Sequence, residues 1–190
     1  MRYCSIDTET CGLSEECDII EFGAIIDDLQ NPLPIETLPT YHCYFVLPSY
    51  RGEPYALSMH STIFRRIAER EKGYTYISPT KFGNHFKKFL VANGYVEEKD
   101  RVTITVAGKN FGVFDLQFLN KQTDLSKHVQ IRHKILDPAV LYLENGDEVL
   151  PGLEKCKERA GLGNCVAHNA LDDAKDVIEL VRKKLGGMFA

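Results

Sequence analysis

The 190-residue sequence contains no tryptophan, so any stacking surface it offers is built from phenylalanine, tyrosine, histidine or leucine. It has no run of about 18 apolar residues, which excludes a helical membrane span by length. The opening MRYCSIDTET meets charged residues too soon for a secretory leader, and a cytoplasmic protein without membrane attachment is expected. No internal repeat, low-complexity tract or linker interrupts the chain, and one domain over 1–190 is expected. The six cysteines (Cys4, Cys11, Cys17, Cys43, Cys156, Cys165) lack the tight CxxC spacing of zinc sites, so reduced thiols are expected. A basic excess is also missing, since the formal net charge is −4. That argues against an anionic polymer as ligand unless cations form part of the binding surface. Two divalent ions would cancel the net charge.

Strand patterns cover Arg2 to Asp7, Asp18 to Asp28 and Tyr41 to Leu47, with a proline-rich loop at Asn31 to Pro39. Short connections favour antiparallel neighbours. Ser78-Pro79 opens a helix with an apolar stripe of Phe82, Phe86, Phe89 and Leu90. Arg101 to Ala107 reads as a buried strand and is followed by a helix from about Phe111. Gln130 to Leu136 reads as a further strand, and Asp137-Pro138 as a cap and first helical residue. Gly152 to Ala160 and Asn169 to Leu185 read as the last helices. The order predicts an α/β fold, a mixed sheet flanked by helices.

Five polar groups fall where the local pattern predicts apolar packing. Asp7 and Glu9 share one face of the first strand, where two carboxylates repel unless a cation bridges them or water reaches them. Asp115 lies inside the apolar arc of Phe111, Phe114, Phe118 and Leu119. Asp173 lies at the edge of the stripe of Ala170, Ala174, Val177, Ile178, Val181 and Leu185, whereas Asp172 and Asp176 read as outer-face residues. His168 is about 140° from Asp173 on a continuous helix, so both reach one site only if His168 precedes the helix. Buried carboxylates cost several kcal/mol without compensation. Divalent metal is the simplest compensation, and it points to phosphate chemistry.

The three segments resemble the DEDDh 3′→5′ exonucleases, the family of polymerase proofreading subunits, ribonuclease T and oligoribonuclease. Asp7-Thr8-Glu9 resembles the first motif, Asp115 in FDLQFL the second, and His168 with Asp173 the third; LPGLEKCKERAGLG resembles the helix before the third. Cys11 stands where many relatives have threonine, and Lys109-Asn110 replaces a common His-Asn. The resemblance implies a ribonuclease H-like (DnaQ-like) fold with a mixed five-stranded sheet. It implies two Mg²⁺ or Mn²⁺ ions held by Asp7, Glu9, Asp115 and Asp173, with His168 as general base toward an attacking water and nucleoside 5′-monophosphates as products. It places Thr8 and Leu13 near the terminal nucleotide.

Lys109 and Asn110 are further expected substrate contacts, and Lys121, Lys127, Arg132 and Lys134 are candidates for phosphate contact or plain solvated charge. The segment Tyr50 to Tyr76 either shapes the substrate groove or packs as a helix through Ile63, Phe64 and Ile67. The expected partner is the 3′ end of single-stranded DNA or RNA. An oligoribonuclease-like preference for short RNA stays open, as does a binding module with a decayed exonuclease fold. A homodimer or a polymerase-associated subunit is also compatible.

Overall fold

The computed structural model describes residues 1–165 and 167–188. Three strands open the chain: β1 (Arg2–Thr10), β2 (Ile19–Asp28) and β3 (Thr40–Phe45). Two short helices, α1 (Pro54–Met59) and α2 (Ser61–Glu69), lead to β4 (Tyr76–Ile77) and α3 (Pro79–Ala92). Then come β5 (Glu97–Glu98), β6 (Arg101–Ile104), β7 (Val106–Ala107), α4 (Asp115–Gln122), α5 (Leu125–His128) and β8 (Val129–Ile131). The remaining helices are α6 (Pro138–Leu141), α7 (Leu153–Ala160) and α8 (Ala170–Leu185).

The main sheet has the order β4-β3-β2-β1-β7, and a three-stranded sheet has the order β5-β6-β8. β1, β2 and β3 are antiparallel neighbours, whereas β7 is parallel to β1 and β4 to β3. This is the expected mixed five-stranded sheet. The predicted strand Arg101 to Ala107 is split at Thr105, and the predicted strand Gln130 to Leu136 is reduced to β8 plus an isolated bridge between Leu136 and Ala107.

Strand alternation sorts β2 into two faces. Phe22, Ala24 and Ile26 join the larger core with Phe82, Phe86 and Phe118. Phe22 lies edge-on to Phe82 and Phe86 at 4.6 and 5.0 Å. Truncating Phe82 to alanine would cost about 3–5 kcal/mol, because the ring is fully buried. The opposite face carries Ile25, which packs with Tyr3 of β1 and with Ala174, Val177, Ile178 and Val181 of α8.

Polar contacts fix the register of α8 on that face. Ser5 donates its hydroxyl to the Ala174 carbonyl at 2.7 Å. Farther along, Arg182 makes a bidentate pair with buried Asp27, which also accepts from the Tyr3 hydroxyl at 2.7 Å. α7 ends at Gly161 in a left-handed conformation, φ 68°.

Two local expectations are corrected. The helix expected from about Phe111 begins at Asp115, because Asn110 is left-handed (φ 61°) and gives its N–H to Asp137 at 2.9 Å. Residues 111–114 form a turn instead. Asp176, expected on the outer face of α8, instead makes a 2.5 Å ion pair with Lys157, drawn in by the buried lysine of α7.

Candidate metal and catalytic centre

β1 alternates between the two layers, and this alternation builds the site. Odd positions face α8, so Asp7 and Glu9 point toward Asp173 in its first turn. Among the described residues these three form a group able to hold a metal ion, with one carboxylate oxygen from each all within 4.8 Å of one another. The intervening Thr8 faces the other layer. There its N–H and hydroxyl are donated to Oδ1 of Asp115, the first residue of α4, at 3.0 and 2.7 Å. Asp115 is thus tied to the strand between the two acids rather than being part of the close group.

Burial raises the carboxyls of Asp7, Glu9, Asp115 and Asp173, and neighbouring acids add to the rise for Asp7, Glu9 and Asp173. Burial pushes Glu9 up to about 9, helped by the charges of Asp173, Glu21 and Asp115. Asp7 is raised well above the ordinary range by burial, then by Asp115, Glu9, Asp173 and Glu21. Asp173 is pushed up to about 7 by burial and by Asp176. Asp115 rises to about 7 through burial, an effect reduced by its bonds to Thr8. Oδ1 of Asp173 is buried with no hydrogen-bond partner among the described residues. Buried native polar atoms are nearly always satisfied, so an orphaned carboxylate oxygen beside two other carboxylates fits a cation.

Two buried groups beside the acids escape the motif reading. His60, between α1 and α2, is buried and places Nε2 3.4 Å from Oε2 of Glu9. Burial holds its imidazole below the ordinary range, against the opposing pull of Glu21. Glu21 of β2 lies directly opposite Glu9 in the strand pair. It binds Nε2 of His42 at 2.6 Å and accepts from the Ala170 N–H at 3.0 Å. The signal for both was available: His60 continues the stripe of Ala56, Ile63 and Ile67, and Glu21 interrupts an apolar strand. Each is a polar residue at an apolar position, like Asp115.

His168 stands on the loop before α8, exposed, with φ 50°. It borders a hollow of about 380 Å³ with Gly152, Leu153, Glu154 and Lys155. Glu9 also lines a pocket of about 240 Å³, together with residues that include Thr8, Leu13, Glu53, Tyr55, Met59 and Phe114. Leu13 and Tyr55 project into solvent, 77% and 80% exposed, an unusual placement for apolar side chains beside a carboxylate cluster.

The expected cationic contacts are scattered. Lys109 lowers the Asp115 carboxyl, while Asn110 is exposed. Lys121 is already paired with Glu16 at 2.9 Å. Arg132 and Lys134 line a concavity of about 590 Å³ that shares no lining residue with the carboxylate group.

No family model matches the chain, and no curated protein matches it in sequence. Solved structures do match. E. coli exonuclease I in complex with a dT13 oligonucleotide superposes with a TM-score of 0.65 at 18% identity, covering 99% of this chain and 42% of that one. The Mg²⁺- and Mn²⁺-bound form of S. pombe Pop2p gives 0.61 at 15% identity, covering 96% of this chain and 83% of that one. Cell-death related nuclease 4 gives 0.62 at 15% identity, covering 98% and 64%. The chain shares the ribonuclease H-like fold of these structures, and it spans less than half the length of exonuclease I.

Proposed function

We propose that this protein is a divalent-metal-dependent 3′→5′ exonuclease that removes nucleoside 5′-monophosphates from the 3′ end of single-stranded nucleic acid. The carrying observation is the convergence of one carboxylate oxygen each from Asp7, Glu9 and Asp173 within 4.8 Å, with one Asp173 oxygen left without a partner among the described residues. Support comes from the structural relatives: exonuclease I binds a dT13 oligonucleotide, and Pop2p is Mg²⁺- and Mn²⁺-bound.

In this reading Asp7, Glu9 and Asp173 hold Mg²⁺ or Mn²⁺, and Asp115 joins the second of two sites next to Asp7. The ions supply positive charge toward the phosphate and lower the pKa of water. His168 receives the proton of the attacking water on a ring nitrogen, a role suited to neutral imidazole near pH 7. It is exposed to solvent immediately before α8, the helix that carries Asp173. Leu13, Tyr55, Met59 and Phe114 flank the terminal base, because exposed apolar side chains beside a phosphate-cleaving centre suit stacking on a nucleobase. Thr8, whose own donors hold Asp115, forms the wall between the base and the acids. Lys109 and Asn110 flank the next phosphate.

The test is product analysis on matched 3′-labelled DNA and RNA strands, short and long, with Mg²⁺, Mn²⁺ or chelator. Stepwise release of 5′-monophosphates that stops with chelator is expected, and the relative rates assign the preferred sugar and length. Tight metal-dependent binding of strands without any release would instead support a binding module.

A further inference from the structure

We propose that Glu21, oriented by His42, is the positioning residue that fixes the start of α8 and, through it, both Asp173 and His168. This rests on the nuclease reading above. The first N–H groups of a helix have no partner within it. Asn169 satisfies one as the cap, accepting from Asp172 at 3.0 Å. Ala170, the first helical residue, instead gives its N–H to Oε2 of Glu21 at 3.0 Å, on the β2 face that packs against α8. The other Glu21 oxygen is held by His42 Nε2 at 2.6 Å, so the carboxylate is clamped at both ends.

Gly23 on the same strand face makes the clamp possible. A Cβ there would lie 2.5 Å from the Ala170 carbonyl carbon and oxygen and 2.6 Å from the Leu171 nitrogen. The helix start therefore rests directly on the β2 backbone. Ala170 lies between His168 and Asp173 in the chain. His168 holds a left-handed backbone, φ 50°, which a non-glycine residue keeps only when its surroundings over-determine it. The Glu21 bond fixes the chain two residues after His168.

Space-filling does not account for a carboxylate here. Glu21 is 1% exposed and sits opposite Glu9, where like charges repel. A neutral side chain would serve packing at lower cost, and the acceptor function toward Ala170 is what the carboxylate adds.

The test uses Glu21→Ala, Glu21→Gln and His42→Phe, the last keeping a ring against Tyr44 and Tyr74 while removing the donor. Circular dichroism checks folding, calorimetry gives Mn²⁺ affinity, and steady-state assays on a 3′-labelled single strand separate kcat from KM. Glu21→Ala should lower Mn²⁺ affinity and kcat by about 10- to 100-fold with KM little changed. Glu21→Gln, which retains an acceptor for Ala170, should recover most of both, and His42→Phe should fall between. Unchanged Mn²⁺ affinity and kcat in folded Glu21→Ala would overturn the assignment, as would Glu21→Gln being as damaged as Glu21→Ala. If Glu21→Ala does not fold, His42→Phe decides, and its wild-type Mn²⁺ affinity would count against the clamp. If the wild-type protein binds Mn²⁺ but releases no nucleotide, the nuclease reading fails, and Mn²⁺ affinity alone decides the positioning role.

Discussion

Asp115 grips Thr8 through a single oxygen, which accepts both the backbone N–H and the side-chain hydroxyl of that residue. Thr8 separates Asp7 from Glu9, so the helix α4 controls the pitch of the strand that presents the two acids. Thr8→Val removes the hydroxyl and keeps the shape. Loss of the buried bond should cost about 1 kcal/mol of stability and lower kcat by about tenfold. Denaturant melts and single-strand cleavage rates check the two effects separately; wild-type kcat would show that the grip is only structural.

The carboxylate cluster makes the metal-free protein sensitive to alkali. Glu9 is raised to about 9, and Asp115 and Asp173 to about 7. Above about pH 4 the unfolded chain releases protons that the folded protein still holds. Stability is therefore lost as pH rises from about 4 through about 9. Thermal melts in chelator should show a falling Tm over that window, and Asp173→Asn should flatten the fall. Mn²⁺ binds the ionised acids, so the Tm gain it gives should grow with pH. A chelated protein whose Tm does not change with pH would contradict the raised carboxyls.

His168→Ala should reduce kcat by about 10²- to 10⁴-fold while calorimetric Mn²⁺ affinity stays within a small factor of wild type. Its side chain is exposed, so the melting temperature should barely move. A matching loss of metal affinity would make it a ligand rather than a base.

Tyr55→Ala and Leu13→Ala remove exposed surface beside Glu9 and should leave stability and Mn²⁺ affinity intact. Each should weaken substrate binding by about 1–3 kcal/mol if it stacks on the terminal base. The effect should appear with strands of every length, because only the last nucleotide is involved. Fluorescence anisotropy with a chelated, non-cleaving mixture measures it.

Lys157 bridges the Cys165 carbonyl and Asp176, both at 2.5 Å. Lys157→Met strands a largely buried carboxylate and should cost about 3 kcal/mol. Adding Asp176→Leu should restore most of that stability. Urea midpoints of the single and double variants decide between a paired-charge role and simple packing.

Much of this centre was legible because its residues break local rules. Asp115 inside an apolar arc and Asp173 at the edge of an apolar stripe both stand out by periodicity, and Asp172 is indeed exposed while Asp173 is buried. The antiparallel opening strands followed from short loops. Three-dimensional proximity was not legible in the same way. That Asp115 grips Thr8 depends on which layer each strand position faces, and that Lys157 draws in Asp176 depends on how α7 meets α8. The delayed start of α4 follows from a left-handed Asn110 held by Asp137, a contact between residues distant in the chain. His60 and Glu21 obeyed the same signal as Asp115, but belonged to no motif.

The close group joins Asp7 and Glu9 from the first strand to Asp173 from the last long helix, with the rest of the sheet laid down between them. During synthesis the amino-terminal acids emerge from the ribosome long before their partner exists. A growing chain therefore has no complete acid group until its last long helix is made. The group of three acids is complete only once α8 has docked, so the event that finishes the fold also finishes the candidate metal centre.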